Sequence, residues 1–258
     1  MSTSPENPTI VIVQGSFQTP LVYADLFNKL TENGYPTIHP KLPSCTDISH
    51  PDFASKDLID DALAVRSAVT RLVEYESKTV VLVMHSYGGL VGSEAVPPEL
   101  SYTHRKSKGL EGGVIHLFYF TAFIMEEGNS VLGTFGESSN NIVSPNGTFT
   151  ILNPEKVLYG DLPPSEAERW TSKLIPQSYA VQKTKLTRAA WKYIPSTYLV
   201  GTNDQAVPKE YQDGFAKMAG ADVVEESVGH SAMLSHLEVL VERVLGAVKS
   251  ALERTKEV

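Results

Sequence analysis

The sequence has a single cysteine, no apolar run approaching the roughly 20 residues of a membrane span, and less positive than negative charge over its 258 residues. With Cys45 alone, neither an intrachain disulfide nor a cysteine-based zinc site can form, which fits a reducing compartment. Lys and Arg number 22 against 30 Asp and Glu, a balance of −8, which works against binding a polyanion, so nucleic acid is not an expected partner. The one local basic run, Arg105, Lys106 and Lys108, reads as a solvated loop beside Gly109. Proline and glycine tracts are absent, and 41% hydrophobic with 20% charged residues is a composition that buries a core. The stretch Met1 to Pro8 is polar and lacks the charged-then-apolar layout of a signal peptide, so the expectation is a soluble cytoplasmic protein without a membrane partner. Asn146-Gly147-Thr148 matches a glycosylation sequon but reads as a turn. No H-x-x-x-H pattern or carboxylate cluster calls for a metal, and no cofactor is expected.

Short β-branched runs alternate with helical periodicity. Thr9 to Gln14, Thr37 to His39, Thr79 to Met84, Val114 to Phe120, Ser196 to Val200 and Val223 to Ser227 read as strands, mostly apolar on both faces as a helix-covered parallel sheet requires. Leu58, Ala62, Val65, Val69 and Leu72 step by four and three, as do Leu237, Leu240, Val241, Val244, Leu245 and Val248, and each set marks an amphipathic helix. The implied fold is α/β, a doubly wound, mostly parallel sheet. The alternation breaks over residues 126–190, which read as a cap inserted into a core of residues 1–125 and 191–258; within it Ser165, with Glu168 three residues on, reads as a helix N-cap. Phe135, Phe149, Tyr159, Trp170 and Tyr179 of that segment either line an apolar pocket or glue the insertion to the core.

The most specific feature is Met84-His85-Ser86-Tyr87-Gly88-Gly89, between a strand and a helix start. A serine on so sharp a turn has its hydroxyl pushed out at the top of the sheet, the nucleophile elbow; Gly88 keeps the second glycine of G-x-S-x-G and Met84 replaces the first. Ser86 is therefore the candidate nucleophile, the alternative being a tight turn with a capping serine. A serine needs a base, and the base an orienting acid. His230 follows the last strand and Asp204 follows the strand Ser196 to Val200, which gives the chain order Ser86, Asp204, His230. Asp204 reads equally as an Asx turn ahead of Pro208, and Asp213 and Asp222 are rival acids; the other six histidines, His39, His50, His85, His104, His116 and His236, read as structural. An oxyanion needs two backbone donors, expected from Tyr87 and from Ser16, where Gly15 would permit an unusual backbone path or else make a plain turn.

With IVIVQGSF, VLVMHSYGGLVG, YLVGTNDQAVP and GHSAMLSHLEVL in this order, the sequence resembles the α/β-hydrolase superfamily nearly end to end, in the small branch of plant methylesterases and hydroxynitrile lyases with their fungal and bacterial relatives. The resemblance implies the α/β-hydrolase fold with a helical cap, and Ser86, Asp204 and His230 as a triad. Gln14 stands where the branch usually has histidine; Gly15 and Ser231 stand where its hydroxynitrile lyases carry threonine and lysine, which points to hydrolysis rather than cyanide elimination. The expected activity is hydrolysis of a small-molecule ester, a methyl ester or lactone of a mid-sized metabolite. Carbon-carbon lysis, retro-aldol cleavage or cyclisation at the same site, and a ligand receptor derived from a hydrolase, remain open. Related hydrolases are often dimers, so a homodimer stays open too, although no sequence feature argues for one.

Overall fold

The computed structural model describes residues 7–257. The absence of a leader was read from Met1 to Pro8, of which residues 1–6 lie outside the described residues. Nine strands are formed among them: Thr9–Val13 (β1), Thr37–Ile38 (β2), Thr79–His85 (β3), Gly113–Phe120 (β4), Asn141–Val143 (β5), Thr148–Ile151 (β6), Gln177–Ser178 (β7), Ser196–Gly201 (β8) and Asp222–Glu226 (β9). Six of them make one all-parallel sheet in the order β2-β1-β3-β4-β8-β9, and all six were read from the sequence to within a residue or two. β1 and β4 are buried along their whole length, as expected of strands covered by helices on both faces.

Two apolar layers sandwich the sheet. Ile10, Ile12, Val81 and Val83 face the helices Ala24–Glu32 and Leu237–Glu257 through Leu26, Leu30, Leu240 and Val244. Val11, Val13, Leu82 and Met84 face Leu58–Thr70 and Gly88–Ala95 through Ala62, Val65, Leu90 and Val91. Leu26, Leu30 and Leu240 are completely buried, and each such side chain contributes roughly 1.5–3 kcal/mol. The register between β3 and β4 shifts at Val80/Val81, so that Val114 and His116 are the successive partners. The additional residue flips the strand's alternation: Val114 and Leu117, three apart, share one layer, and Ile115 and Phe118 share the other. Asp57 starts the Leu58–Thr70 helix with a reciprocal capping box to Asp60.

Residues 126–190 lie between β4 and β8 and hold a second, antiparallel sheet, β5-β6-β7, beside short helices such as Pro154–Val157 and Pro164–Thr171. The segment expected as a helical cap thus holds helices and, in addition, this small sheet. β5, β6 and β7 were not read from the sequence, although the turn at Asn146-Gly147 was: Ser144 and Thr148 close a hairpin there, with Gly147 at φ 84° and the Asn146 side chain accepting the Thr148 amide. Two local readings also change. Ser165 is not the N-cap, because Pro163 holds that position and Pro164 takes the first helical turn, where a missing N–H costs nothing. Arg105 is not solvated: it lies on the helix Tyr102–Ser107, 7% exposed, and donates to the carbonyls of Glu111 and Val73. No helix among the described residues is long and apolar enough to cross a membrane.

Candidate active site

β3 ends at His85, the helix Gly88–Ala95 begins three residues later, and Ser86 between them is held at φ 52°. A non-glycine residue there costs about 1–3 kcal/mol and persists because its surroundings fix it. The Ser86 carbonyl accepts the amides of Gly89 and Phe123, at 3.0 Å each. The turn is tight enough that a Cβ on Gly88 would lie 2.3 Å from the Val13 carbonyl oxygen, so only glycine lets this helix start against β1.

Asp204 and His230 meet in the protein interior. His230 Nδ1 lies 2.9 Å from Asp204 Oδ2, and both residues are buried. The other carboxylate oxygen, Oδ1, accepts the amides of Ala206 at 2.7 Å and Val207 at 3.1 Å. One oxygen of Asp204 thus makes the Asx turn, and the other faces the His230 ring. Since a carboxylate only accepts, Nδ1 carries the proton of this contact. The rival acids are engaged elsewhere: Asp213 pairs with Lys209 at 2.9 Å and Asp222 lies 3.7 Å from Arg254.

The backbone of His230 is held as firmly as its ring. Its carbonyl accepts from His85 Nε2 at 2.9 Å and from the Thr121 hydroxyl at 3.1 Å. His85 Nδ1 lies 2.7 Å from the Tyr23 hydroxyl, which itself accepts the Gly15 amide at 2.8 Å and sits 2.6 Å from the Gln18 side chain. One buried histidine thus connects the loop after β1 to the loop after β9. Burial, followed by its nearness to His230, pushes the His85 pKa well below the ordinary value, so the ring bridges as a neutral group. Read as structural from the sequence, His85 is structural at the place where the candidate groups converge.

Ser86 and His230 line one cavity of about 390 Å³, together with Ser16, Phe17 and Tyr87. The Ser16 and Tyr87 amides have no hydrogen-bond acceptor among the described residues, and both residues line the cavity. The left-handed residue of the loop after β1 is Phe17, at φ 64°, and not Gly15. Gly15 serves by its size: a Cβ there would come within 2.9 Å of both His85 Nδ1 and Ser86 Cβ. Phe123, Phe149, Ile151 and Leu158 make the cavity apolar, Glu137 to Asn141 give it a polar side, and no Lys or Arg among the described residues lines it. Of the five aromatics of the 126–190 segment, Phe135 and Phe149 line this cavity, whereas Tyr159 is fully buried and the Tyr179 hydroxyl is spent on Glu137.

Sequence reading missed a second layer of polar residues. Asp61, on the Leu58–Thr70 helix, accepts from the Ser44 amide and hydroxyl and from the hydroxyl of Tyr87, at 2.8, 2.6 and 2.8 Å. Ser44 Oγ in turn accepts from Gln177 of β7. Burial outweighs these donors and pushes the Asp61 pKa up to about 6. Cys45, 2% exposed, lies beside this group, and burial pushes its thiol far above the ordinary value. Asp61 is one carboxylate in an ordinary helical stretch, and no local pattern marks it.

A model of the alpha/beta hydrolase family matches residues 10–243. Alpha/beta hydrolase nvfD of Aspergillus novofumigatus is 31% identical over alignments covering 95% of this chain and 98% of the relative. Among solved structures, polyneuridine aldehyde esterase superposes with a TM-score of 0.71 at 17% identity, covering 93% of this chain and 98% of that one. The methylesterase MES16 from Arabidopsis does so with a TM-score of 0.72 at 20% identity, covering 94% and 99%. On the parallel sheet, the strained serine turn and this end-to-end match, the chain belongs to the α/β-hydrolase family.

Proposed function

We propose that this protein hydrolyses a carboxylic ester, a methyl ester or lactone of an uncharged and largely apolar small to mid-sized metabolite, with residues 126–190 acting as a cap over the site. The observation that carries the reading is that Ser86, on its left-handed turn, shares one cavity with His230, whose Nδ1 is fixed by Asp204. Ser86 Oγ attacks the ester carbonyl while His230 Nε2 takes its proton, and the proton then passes to the departing alkoxide. Water, activated by the same nitrogen, cleaves the acyl-serine to the free acid. Asp204 keeps the ring oriented and balances the imidazolium that forms in each half-reaction. The amides of Ser16 and Tyr87 hold the oxyanion, each worth roughly 3 kcal/mol. The lack of room for any side chain at Gly15 supports hydrolysis over the threonine-assisted elimination of the resembling lyases.

The test is turnover of p-nitrophenyl acetate and butyrate by the wild type beside Ser86→Ala, both checked for folding by circular dichroism. Multiple turnover that falls by about 10³-fold or more in Ser86→Ala is expected. Turnover that survives the substitution overturns the assignment of Ser86. A folded wild type inert towards esters but active on substrates without an ester bond would establish the lyase alternative, and tight ligand binding without turnover the receptor alternative.

A further inference from the structure

We propose that Asp161 is a positioning residue for His230, the means by which the 126–190 segment sets the general base; this rests on the role given to His230 above. Asp161 sits in the turn between the helices Pro154–Val157 and Pro164–Thr171, with its side chain only 13% exposed. Its Oδ2 accepts the Gly229 amide at 2.7 Å and the Ser235 hydroxyl at 2.7 Å, and His236 Nδ1 stands 3.4 Å away. Gly229 immediately precedes His230, and Ser235 closes the short helix Ala232–Ser235 that follows it. One carboxylate oxygen therefore spans the loop that carries the base, from both sides of it.

Two features separate this from an ordinary surface contact. The approach is possible only because residue 229 has no side chain: a Cβ there would lie 2.6 Å from the Asp161 carboxylate. And the contacts of Asp161 all leave its own segment, while its Oδ1 is buried with no partner among the described residues. A desolvated carboxylate with one oxygen unsatisfied is a poor stabilising device. What this arrangement does provide is placement. The ring of His230 is set by Asp204, its carbonyl by His85 and Thr121, and the amide just before it by Asp161. The same segment also reaches the opposite loop, where the Ile175 amide donates to the Phe17 carbonyl at 2.9 Å.

The experiment measures kcat and KM for p-nitrophenyl butyrate in the full-length wild type, Asp161→Ala, Asp161→Asn and Ser235→Ala, with rates expressed per active site labelled by a p-nitrophenyl phosphonate. Counting labelled sites removes any unfolded fraction from the rate. Asp161→Ala is expected to lower kcat per labelled site about tenfold or more with KM little changed, because displacing a proton-transfer group by a fraction of an ångström acts on the rate and not on binding. Asp161→Asn, which keeps an acceptor for the Gly229 amide, is expected to recover most of the loss. Should Asp161→Ala fail to fold, Ser235→Ala, which removes one of the two short bonds, carries the test with an expected loss of about threefold or more. An unchanged kcat per labelled site in Asp161→Ala, or in Ser235→Ala where it stands in, overturns the proposal whatever happens to the melting temperature. Ser86→Ala run alongside separates the two levels: activity that survives it removes the hydrolase reading and the role of Asp161 together, whereas Ser86-dependent activity indifferent to Asp161 removes only the latter.

Discussion

A Cβ built on Gly92 would lie 2.2 Å from the Sδ of Met84, so the side chain missing from the helix after the elbow is the space that the methionine fills. Met84, completely buried, stands where the elbow pattern has its first glycine. The departure in the strand is thus matched by a small residue eight positions on. Gly92→Ala is expected to destabilise the fold by about 1–3 kcal/mol through overpacking, and Met84→Ala by about 2–5 kcal/mol through a cavity. The double variant should lose less than the sum, since the new methyl enters the vacated space. Urea denaturation of the four proteins checks this, and strictly additive costs would show that the two positions do not share it.

Asp204→Asn is expected to lower kcat about 10⁴-fold, because the amide would stabilise the wrong tautomer of His230. The loop should survive, as an asparagine oxygen can still accept the amides of Ala206 and Val207. Steady-state rates with circular dichroism decide it: a folded variant within tenfold of wild type would remove Asp204 as the acid.

Asp61 makes stability depend on pH in an unusual direction for a carboxylate. Its pKa is raised to about 6, so the folded chain binds the proton more tightly than the unfolded one. The contribution is therefore fully present in acid, declines as the pH rises from about 4 to about 6, and is flat above. Against Asp61→Asn, which does not titrate, the wild type should lose roughly 3 kcal/mol between pH 3 and pH 7. Paired denaturation curves across that range test it, and a constant difference would refute the sign.

Charge on the acyl group should matter. Because no Lys or Arg lines the cavity among the described residues, a carboxylate carried into it would lose water without gaining a Lys or Arg partner. An aryl ester with a carboxylate on its acyl chain is expected to show kcat/KM at least about tenfold below that of its uncharged isostere. Equal efficiencies would argue against an uncharged substrate.

The legible parts of the molecule were those encoded locally. The six parallel strands follow from runs such as Thr79 to Met84, and Ser86, Asp204 and His230 each sit just beyond the end of a strand, where topology gathers side chains at one crevice. What stayed hidden depends on contacts between distant residues. Asp161 touches Gly229 across 68 positions and Asp61 touches Tyr87 across 26, and neither carries a signature in its own neighbourhood. β5, β6 and β7 escaped because they are short and lie among glycines, prolines and asparagines that read as turns. Gly15 was assigned a conformational role when its actual one is steric, a distinction that only the packing of Ser86 against it reveals.

The sealed thiol of Cys45 leaves the folded surface without a reactive cysteine. A cysteine introduced at the exposed Ser139, beside the cavity, would be the sole target for a maleimide dye in the native protein. The molecule is in that sense already prepared for single-site fluorescence, and the movement of substrate into the cavity can be followed from its rim without first removing a native residue.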